Sequence, residues 1–372
     1  MKLRQFLDFL KCSLDPTKEI VLDAAEMDWE GLYRISRMHS ILGVVFEGVQ
    51  RMVEAGDKPP RPMLLRWIAA INAIKEKNQV VNNAAVELSE KLRQDGFESC
   101  ILKGQGNNLL YPNVYGRVSG DIDVWIRPLH SEAQNVERYQ NRIIQYAKGQ
   151  KPDTYVCYHH LSFNSIDGIE VELHYRPSFM FHPIHNRRLQ EWYRVHADRQ
   201  FQHEVDLPDG VGKVAIPDEE FNQIFQLTHI YNHLLHEGIG LRQVIDYYYL
   251  LKSGAHHLSD VERVELRKTL HLLGLEKIAE TMMWVLSEGL GLEDEYLIAP
   301  KDERRGRVLL YEIMRGGNFG HYDKRNIQAN SPLKKNIQRL KRDFRMMRYF
   351  PSECLWEPVF RLYHFFWRLK NG

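Results

Sequence analysis

Residues 97–175 interrupt a chain of helical periodicity with a run of short alternating segments, and their order restricts the fold more than any other feature. "FESCILKG" (97–104) is a β-type run closing on glycine, and "QGNNLLYP" (105–112) gives about two helical turns stopped by Pro112. "DIDVWI" (121–126) is a second strand ended by Arg127-Pro128. "SEAQNVERYQNRIIQYAKG" (131–149) reads as a helix with Ser131 as its N-cap and Gly149 as its stop. "YVCYHHLSFNS" (155–165) and "IEVELHY" (169–175) flank Asp167-Gly168, a hairpin signal. Strand, helix, strand, helix, hairpin is the order of a small α/β unit on a mixed sheet.

The flanks are helical. Apolar residues from Trp29 to Met52 fall at helical spacing, "AGDKPPRP" (55–62) breaks the pattern, and a second long helix covers roughly 63–94. After about residue 180 helical periodicity returns, with "DEEFNQIFQLTHIYNHLLHEG" opening on acidic residues and stopping at Gly238. The expectation is an α+β fold: an N-terminal helical region over 1–94, a small mixed-sheet core over 95–178 and a C-terminal helical domain over 179–372.

Composition removes several classes. Lys plus Arg number 50 against 49 Asp plus Glu, so net charge points to neither nucleic acid nor a membrane surface. The four cysteines are scattered with no CxxC, so the spacing suggests neither a zinc knuckle nor a redox motif and argues against a disulfide framework. The opening "MKLRQFLDFLKCSLDP" does not read as a signal peptide, and no apolar run reaches the ~18 residues of a spanning helix. The expected location is the cytoplasm.

Asp121 and Asp123 share one face of their strand because successive side chains alternate. Two carboxylates that close raise each other's pKa unless a counter-charge intervenes. Glu170, Glu172 and His174 share a face of the last strand. Beside 121–126, that face would bring three carboxylates together, a set suited to hard cations and above all Mg²⁺. A D-x-D pair alone also suits an edge strand facing water, so the neighbours decide: a glycine before the pair, a Lys-Gly turn ending the previous strand, and a second acidic strand about 50 residues on.

"LKGQGNNLLYPNVYGRVSGDIDVWI" (102–126) followed by "IEVELHYRP" (169–177) resembles the core of the DNA polymerase beta-like nucleotidyltransferase superfamily. It is more closely similar to the uncharacterised bacterial nucleotidyltransferase family with an LKG…LYP…R…GDID signature. "HIYNHLLHEGIGLRQVIDYYYLL" (229–251), "RGGNFG" (315–320) and "YFPSECLWEPVFRL" (349–362) resemble further segments of that family. The resemblance implies that Asp121 and Asp123 bind two Mg²⁺ ions (Mn²⁺ as a substitute), with Glu172 as third carboxylate, either ligand or base. Glu170 competes for that role. Gly104 and Gly120 would approach the nucleotide, and Lys103 and Arg117 would neutralise triphosphate charge. The superfamily's Gly-Ser turn is here Lys103-Gly104 followed by Gln105-Gly106, so the phosphate-binding serine is lacking.

The reaction implied is transfer of an NMP from an NTP to a hydroxyl acceptor with release of pyrophosphate. Neither acceptor, base preference nor oligomeric state is legible. Two other readings stay open: a phosphohydrolase on the same metal site, and a non-catalytic nucleotide-binding or regulatory protein.

His229, His233 and His236 recur at i, i+4 and i+7 on one helix face. They suit a structural or substrate-lining role more than zinc, and the resemblance puts their helix at the cleft. His174, His229, His233 and Arg242 are the candidate substrate contacts. Arg242 and Asp246 read most simply as an i, i+4 helix pair. "KKNIQRLKRDFRMMR" (334–348) reads as an amphipathic helix packed through Ile337, Leu340, Phe344 and Met347. Its basic face is the place where nucleic acid, an acidic partner or anionic lipid would bind. The aromatic "FRLYHFFWRLK" is expected in the core or at a dimer contact, and "GGNFG" (316–320) is a loop without a phosphate-loop signature.

Overall fold

The computed structural model describes residues 1–19, 24–129, 136–254, 258–325 and 332–371. Four helices open the chain: α1 (Leu3–Leu14), α2 (Trp29–Met38), α3 (Leu42–Glu54) and α4 (Arg61–Gln94). The helical spacing from Trp29 to Met52 belongs to two helices. Ser40 takes φ 57° between them, a left-handed conformation that ends a right-handed helix. α2 is capped by Asp28, whose Oδ1 accepts from Gly31 N at 2.8 Å.

The central sheet contains β1 (Phe97–Leu102), β2 (Ile122–Pro128), β3 (His160–Ser162) and β4 (Val171–His174) in the order β1-β2-β4-β3. β1 runs antiparallel to β2, β2 parallel to β4, and β4 antiparallel to β3, the mixed sheet expected. The hairpin forms where Asp167-Gly168 placed it. Both residues have positive φ (49° and 77°), and Ile166 and Ile169 exchange hydrogen bonds across the turn. α5 (Gly104–Asn108) is shorter than the two turns expected, and α6 (Val136–Gln150) runs one residue past Gly149. Ser131, the expected N-cap, lies outside the described residues.

Alternation divides the sheet into two differently used faces. Phe97, Ile101, Ile122, Val124, Ile126, Val171 and Leu173 pack beneath α4 and α6, against Ala85, Leu88, Leu92, Ile143 and Ala147. Cys100, Leu102 and Trp125 point the other way and join the larger core. Trp125 packs there against a tilted Phe201 ring and stacks on Phe221, with ring centroids 4.7 and 5.6 Å away. Asp123, Glu172 and His174 lie on this second face, so the C-terminal helices close over them.

Those helices are α7 (Pro183–Gln202), α8 (Glu219–His236), α9 (Leu241–Gly254), α10 (Asp260–Leu272), α11 (Glu276–Trp284), α12 (Glu303–Gly316), α13 (Pro332–Met346) and α14 (Pro351–Asn371). Between α7 and α8 the chain makes a small hairpin, β5 (Glu204–Asp206) and β6 (Lys213–Ala215), within a region expected to be mainly helical. Asp209 and Gly210, both at positive φ, supply its bend. Phe6, Leu32 and Val45 of the N-terminal helices share one continuous core with Leu227, Tyr247 and Met282. No described helix is long and apolar enough to cross a membrane.

The basic helix is built differently from its sequence pattern. Ile337, Leu340 and Phe344 are exposed (Phe344 at 80%), while Arg342, Asp343 and Met346 are buried. α13 packs through its opposite side, where Asp343 meets Arg361 of α14 at 3.6 Å. The end of α14 is also largely at the surface, with Leu362, Tyr363, Phe365, Phe366 and Leu369 exposed rather than in the core.

Candidate active site

Strand register assembles the site. In the parallel β2–β4 pair Asp123 is the partner of Glu172 and Trp125 of His174, and in β3–β4 His160 lies opposite His174. Asp121, one residue before β2, is exposed, whereas Asp123 is buried. Together with Lys103, Gly104, Arg117 and Gly120 they line a cavity of about 1250 Å³. Glu172, His174, His229, His233 and Arg242 line it too, so these eleven residues share one space. Glu170, the rival third carboxylate, is exposed and is absent from the lining.

Asp123 carries the electrostatics. Its Oδ2 accepts from Lys103 Nζ at 2.8 Å and its Oδ1 faces His174 Nε2 at 2.9 Å. Burial would raise its pKa, but the two cationic partners outweigh burial and hold the carboxyl well below the usual range. His174 responds in kind. Burial opposes its charge, yet hydrogen bonds to Asp123 and Glu172 push it up to about 9. Glu172 is likewise lowered, its burial offset by the bond to His174. Asp121 moves the other way: the neighbouring Asp123 charge, then desolvation, raises it. A carboxylate whose charge is resisted by its neighbours is the one to which a further cation adds most.

Lys103 sits at φ 53° immediately before Gly104 at φ 37°, a bend that turns its ammonium between Asp123 and His229 Nε2, 3.3 Å away. A Cβ on Gly104 would meet no atom within 4 Å, so the turn needs glycine for its backbone angle rather than for room inside the protein. Beside Lys103, burial first and the cation second keep His229 neutral, well below its ordinary range.

Arg117 and Asp246 make the pair that sequence assigned to Arg242 and Asp246. Arg117 is buried and holds Asp246 through two bonds, Nε–Oδ1 at 2.7 Å and Nη2–Oδ2 at 2.8 Å, while Tyr111 donates to the same carboxylate at 2.6 Å. A guanidinium so engaged fixes the loop ahead of Gly120 more than it offers charge to a ligand. Arg242 is thereby left free of Asp246. Its Nη1 donates to Val118 O at 3.0 Å, its head lies 5.5 Å from the Phe319 ring, and its Nε is buried with no hydrogen-bond partner among the described residues.

The α8 histidines line the cavity in a row. His229 and His233 rings are 4.3 Å apart, and His236 Nε2 lies 3.7 Å from Glu357. Among the described residues, two groups of three potential ligand atoms lie within 4.8 Å: Asp123, Glu172 and His174, and His159, His160 and His174. The α8 histidines enter neither group.

A family model described as an uncharacterised nucleotidyltransferase matches residues 25–291, which span α2 to α11 and with them the whole sheet and α8. The chain belongs to this nucleotidyltransferase family. Among solved structures it is similar to an antigenic nucleotidyltransferase-like protein from Paracoccidioides brasiliensis, at 13% identity and a TM-score of 0.34, over 62% of this chain and 97% of that one. No curated protein matches.

In this nucleotidyltransferase the carboxylate set fits a divalent ion: Asp123 and Glu172 pair in register, and Asp121 beside them is raised by an unbalanced negative charge. Asp123's two oxygens are held by Lys103 and His174, so an ion ligated there replaces one of these cations. Several lining residues escaped sequence analysis. His160 opens a strand too short to show alternation and His159 directly precedes it, Phe319 lies in the loop that gave no motif, and Arg339 projects from α13. The adjacent "HH" in a hairpin strand was the available signal for the first two.

Proposed function

We propose that the cavity is the active site of a metal-dependent nucleotidyltransferase that moves an NMP from an NTP to a hydroxyl acceptor and releases pyrophosphate. The observation that supports it best is the convergence of Asp121, Asp123 and Glu172 at a cavity also lined by Lys103 and Arg242. Asp121, Asp123 and Glu172 would hold Mg²⁺ (Mn²⁺ in its place), which supplies charge neutralisation at the phosphate oxygens and at the attacking and leaving oxygens.

The chain's own groups do the rest. Arg242, with an unpartnered Nε, and Lys103 bind non-bridging phosphate oxygens. Arg117, locked to Asp246, holds the 117–120 loop so that Gly120 and Asp121 keep their positions. Glu172 accepts the proton of the acceptor hydroxyl as its oxygen attacks the α-phosphorus in line. His229 and His236, whose charged forms are opposed by burial, line the wall together with His233. Rate enhancement then comes from positioning and electrostatic preorganisation rather than a covalent intermediate.

The test is product analysis. NTPs labelled at the α-phosphate are incubated with Mg²⁺ and pools of small-molecule, protein and RNA acceptors. The proposal expects label on an acceptor together with pyrophosphate, both absent in Asp121→Asn. Orthophosphate without labelled acceptor would make the protein a phosphohydrolase.

A further inference from the structure

We infer that the cavity holds a second metal site of a different chemical class: a borderline transition ion such as Zn²⁺, bound by the imidazoles of His159, His160 and His174 with Glu172 beside them. The inference goes beyond nucleotidyl transfer and does not depend on it, although the two sites share Glu172.

The three imidazoles each offer a nitrogen within 4.8 Å of the others, and Glu172 lies beside two of them. His159 Nε2 lies 2.9 Å from His160 Nδ1. Glu172 Oε2 lies 3.5 Å from His160 Nδ1 and 3.6 Å from His174 Nε2. An ion with bonds of about 2.0–2.1 Å in a tetrahedral shell sets its ligand atoms about 3.3 Å apart, and these separations straddle that value. The three rings lie within 5.5 Å of one another, centroid to centroid.

The fold delivers the set by regular means. His160 and His174 are partners across β3–β4, Asp123 and Glu172 are partners across β2–β4, and His159 leads into β3. His174 Nε2, the nitrogen that faces Glu172, also faces Asp123 Oδ1 at 2.9 Å, so an ion bound there would take the place of that hydrogen bond and of the ring's proton. His159 is fixed from behind, its ring 4.8 Å from that of Phe179. Three imidazoles with one carboxylate select zinc-like ions, whereas the oxygen set of Asp121, Asp123 and Glu172 selects Mg²⁺. No other described cluster of the chain offers three imidazoles.

The test uses Co²⁺ as a spectroscopic probe on the full-length, nucleotide-free protein. The expected result is one tightly bound Co²⁺ per chain with the intense visible bands of a four-coordinate, nitrogen-rich site, displaced by Zn²⁺ and resistant to excess Mg²⁺. His160→Gln weakens that binding at least about tenfold, since loss even of an outer-shell partner costs about 10–100-fold. Asp121→Asn leaves the bands in place. His159→Gln is the confirming variant, and if it fails to fold, partly exposed His160 decides. A weak octahedral spectrum, ready displacement by Mg²⁺, or a spectrum unchanged by His160→Gln would overturn the inference. None of these outcomes bears on nucleotide binding, so the two readings fail separately.

Discussion

Asp123 Oδ1 and His174 Nε2 sit 2.9 Å apart across the parallel pair β2–β4, two buried groups that hold each other charged. Because Lys103 Nζ takes the other oxygen of Asp123 at 2.8 Å, this carboxylate is the junction between the Lys-Gly turn, the D-x-D strand and the acidic strand.

That junction sets a pH window. The folded-state pKa of His174, about 9, lies above its ordinary 6.5. Its contribution to stability is therefore complete below pH 6.5 and lost as pH rises through 9. Denaturant unfolding of wild type and His174→Gln from pH 6 to 10 should show a gap on the order of 3 kcal/mol at the acid end. The gap narrows steadily above neutrality, and a gap independent of pH would refute the pairing.

Asp246→Asn strands Arg117 among buried groups. Breaking one member of a buried pair costs about 3–5 kcal/mol, and replacing both with apolar residues restores most of it. Urea melts of Asp246→Asn and of Arg117→Met/Asp246→Leu should show this order, with the double variant well folded. Equal destabilisation in both would mean the pair is not the unit.

Arg242→Gln should leave the melting temperature nearly unchanged and weaken nucleotide binding about 10–100-fold, or about 1.4–2.8 kcal/mol. Calorimetry with the preferred NTP measures it. Unaltered affinity would remove Arg242 from the phosphate site.

Gly43 of α3 packs against the carbonyl of Gly116, in the loop leading to Arg117, so closely that a Cβ would collide with backbone. Gly43→Ala should cost about 1–3 kcal/mol, as overpacking does. It should also lower activity by displacing the 117–121 segment. A neutral substitution would show that the shoulder does not brace the site.

What was legible in the sequence was local and periodic. Two-residue alternation put Asp121 with Asp123 and Glu172 with His174, and Asp167-Gly168 at positive φ marked the hairpin. Pairing across 129 residues, as between Arg117 and Asp246, has no local signature, so Asp246 was assigned to the nearer Arg242. The stripe of Ile337, Leu340 and Phe344 announced an amphipathic helix but could not tell which side would pack. Arg342 and Asp343 are buried instead because Asp343 finds Arg361 on α14. His159 and His160 were passed over for a similar reason: their chemistry exists only once β3 lies against β4.

The central claim, a metal-dependent nucleotide site built on Asp121, Asp123 and Glu172, is tested most directly by calorimetric titration of ATP, GTP, CTP and UTP with and without Mg²⁺. Wild type and Asp121→Asn are compared; Asp121 is exposed, so its substitution leaves the fold intact. Saturable binding of at least one NTP to wild type, dependent on Mg²⁺ and lost in Asp121→Asn, is the predicted result. Binding indifferent to both metal and aspartate, or no binding by well-folded wild type, would contradict it.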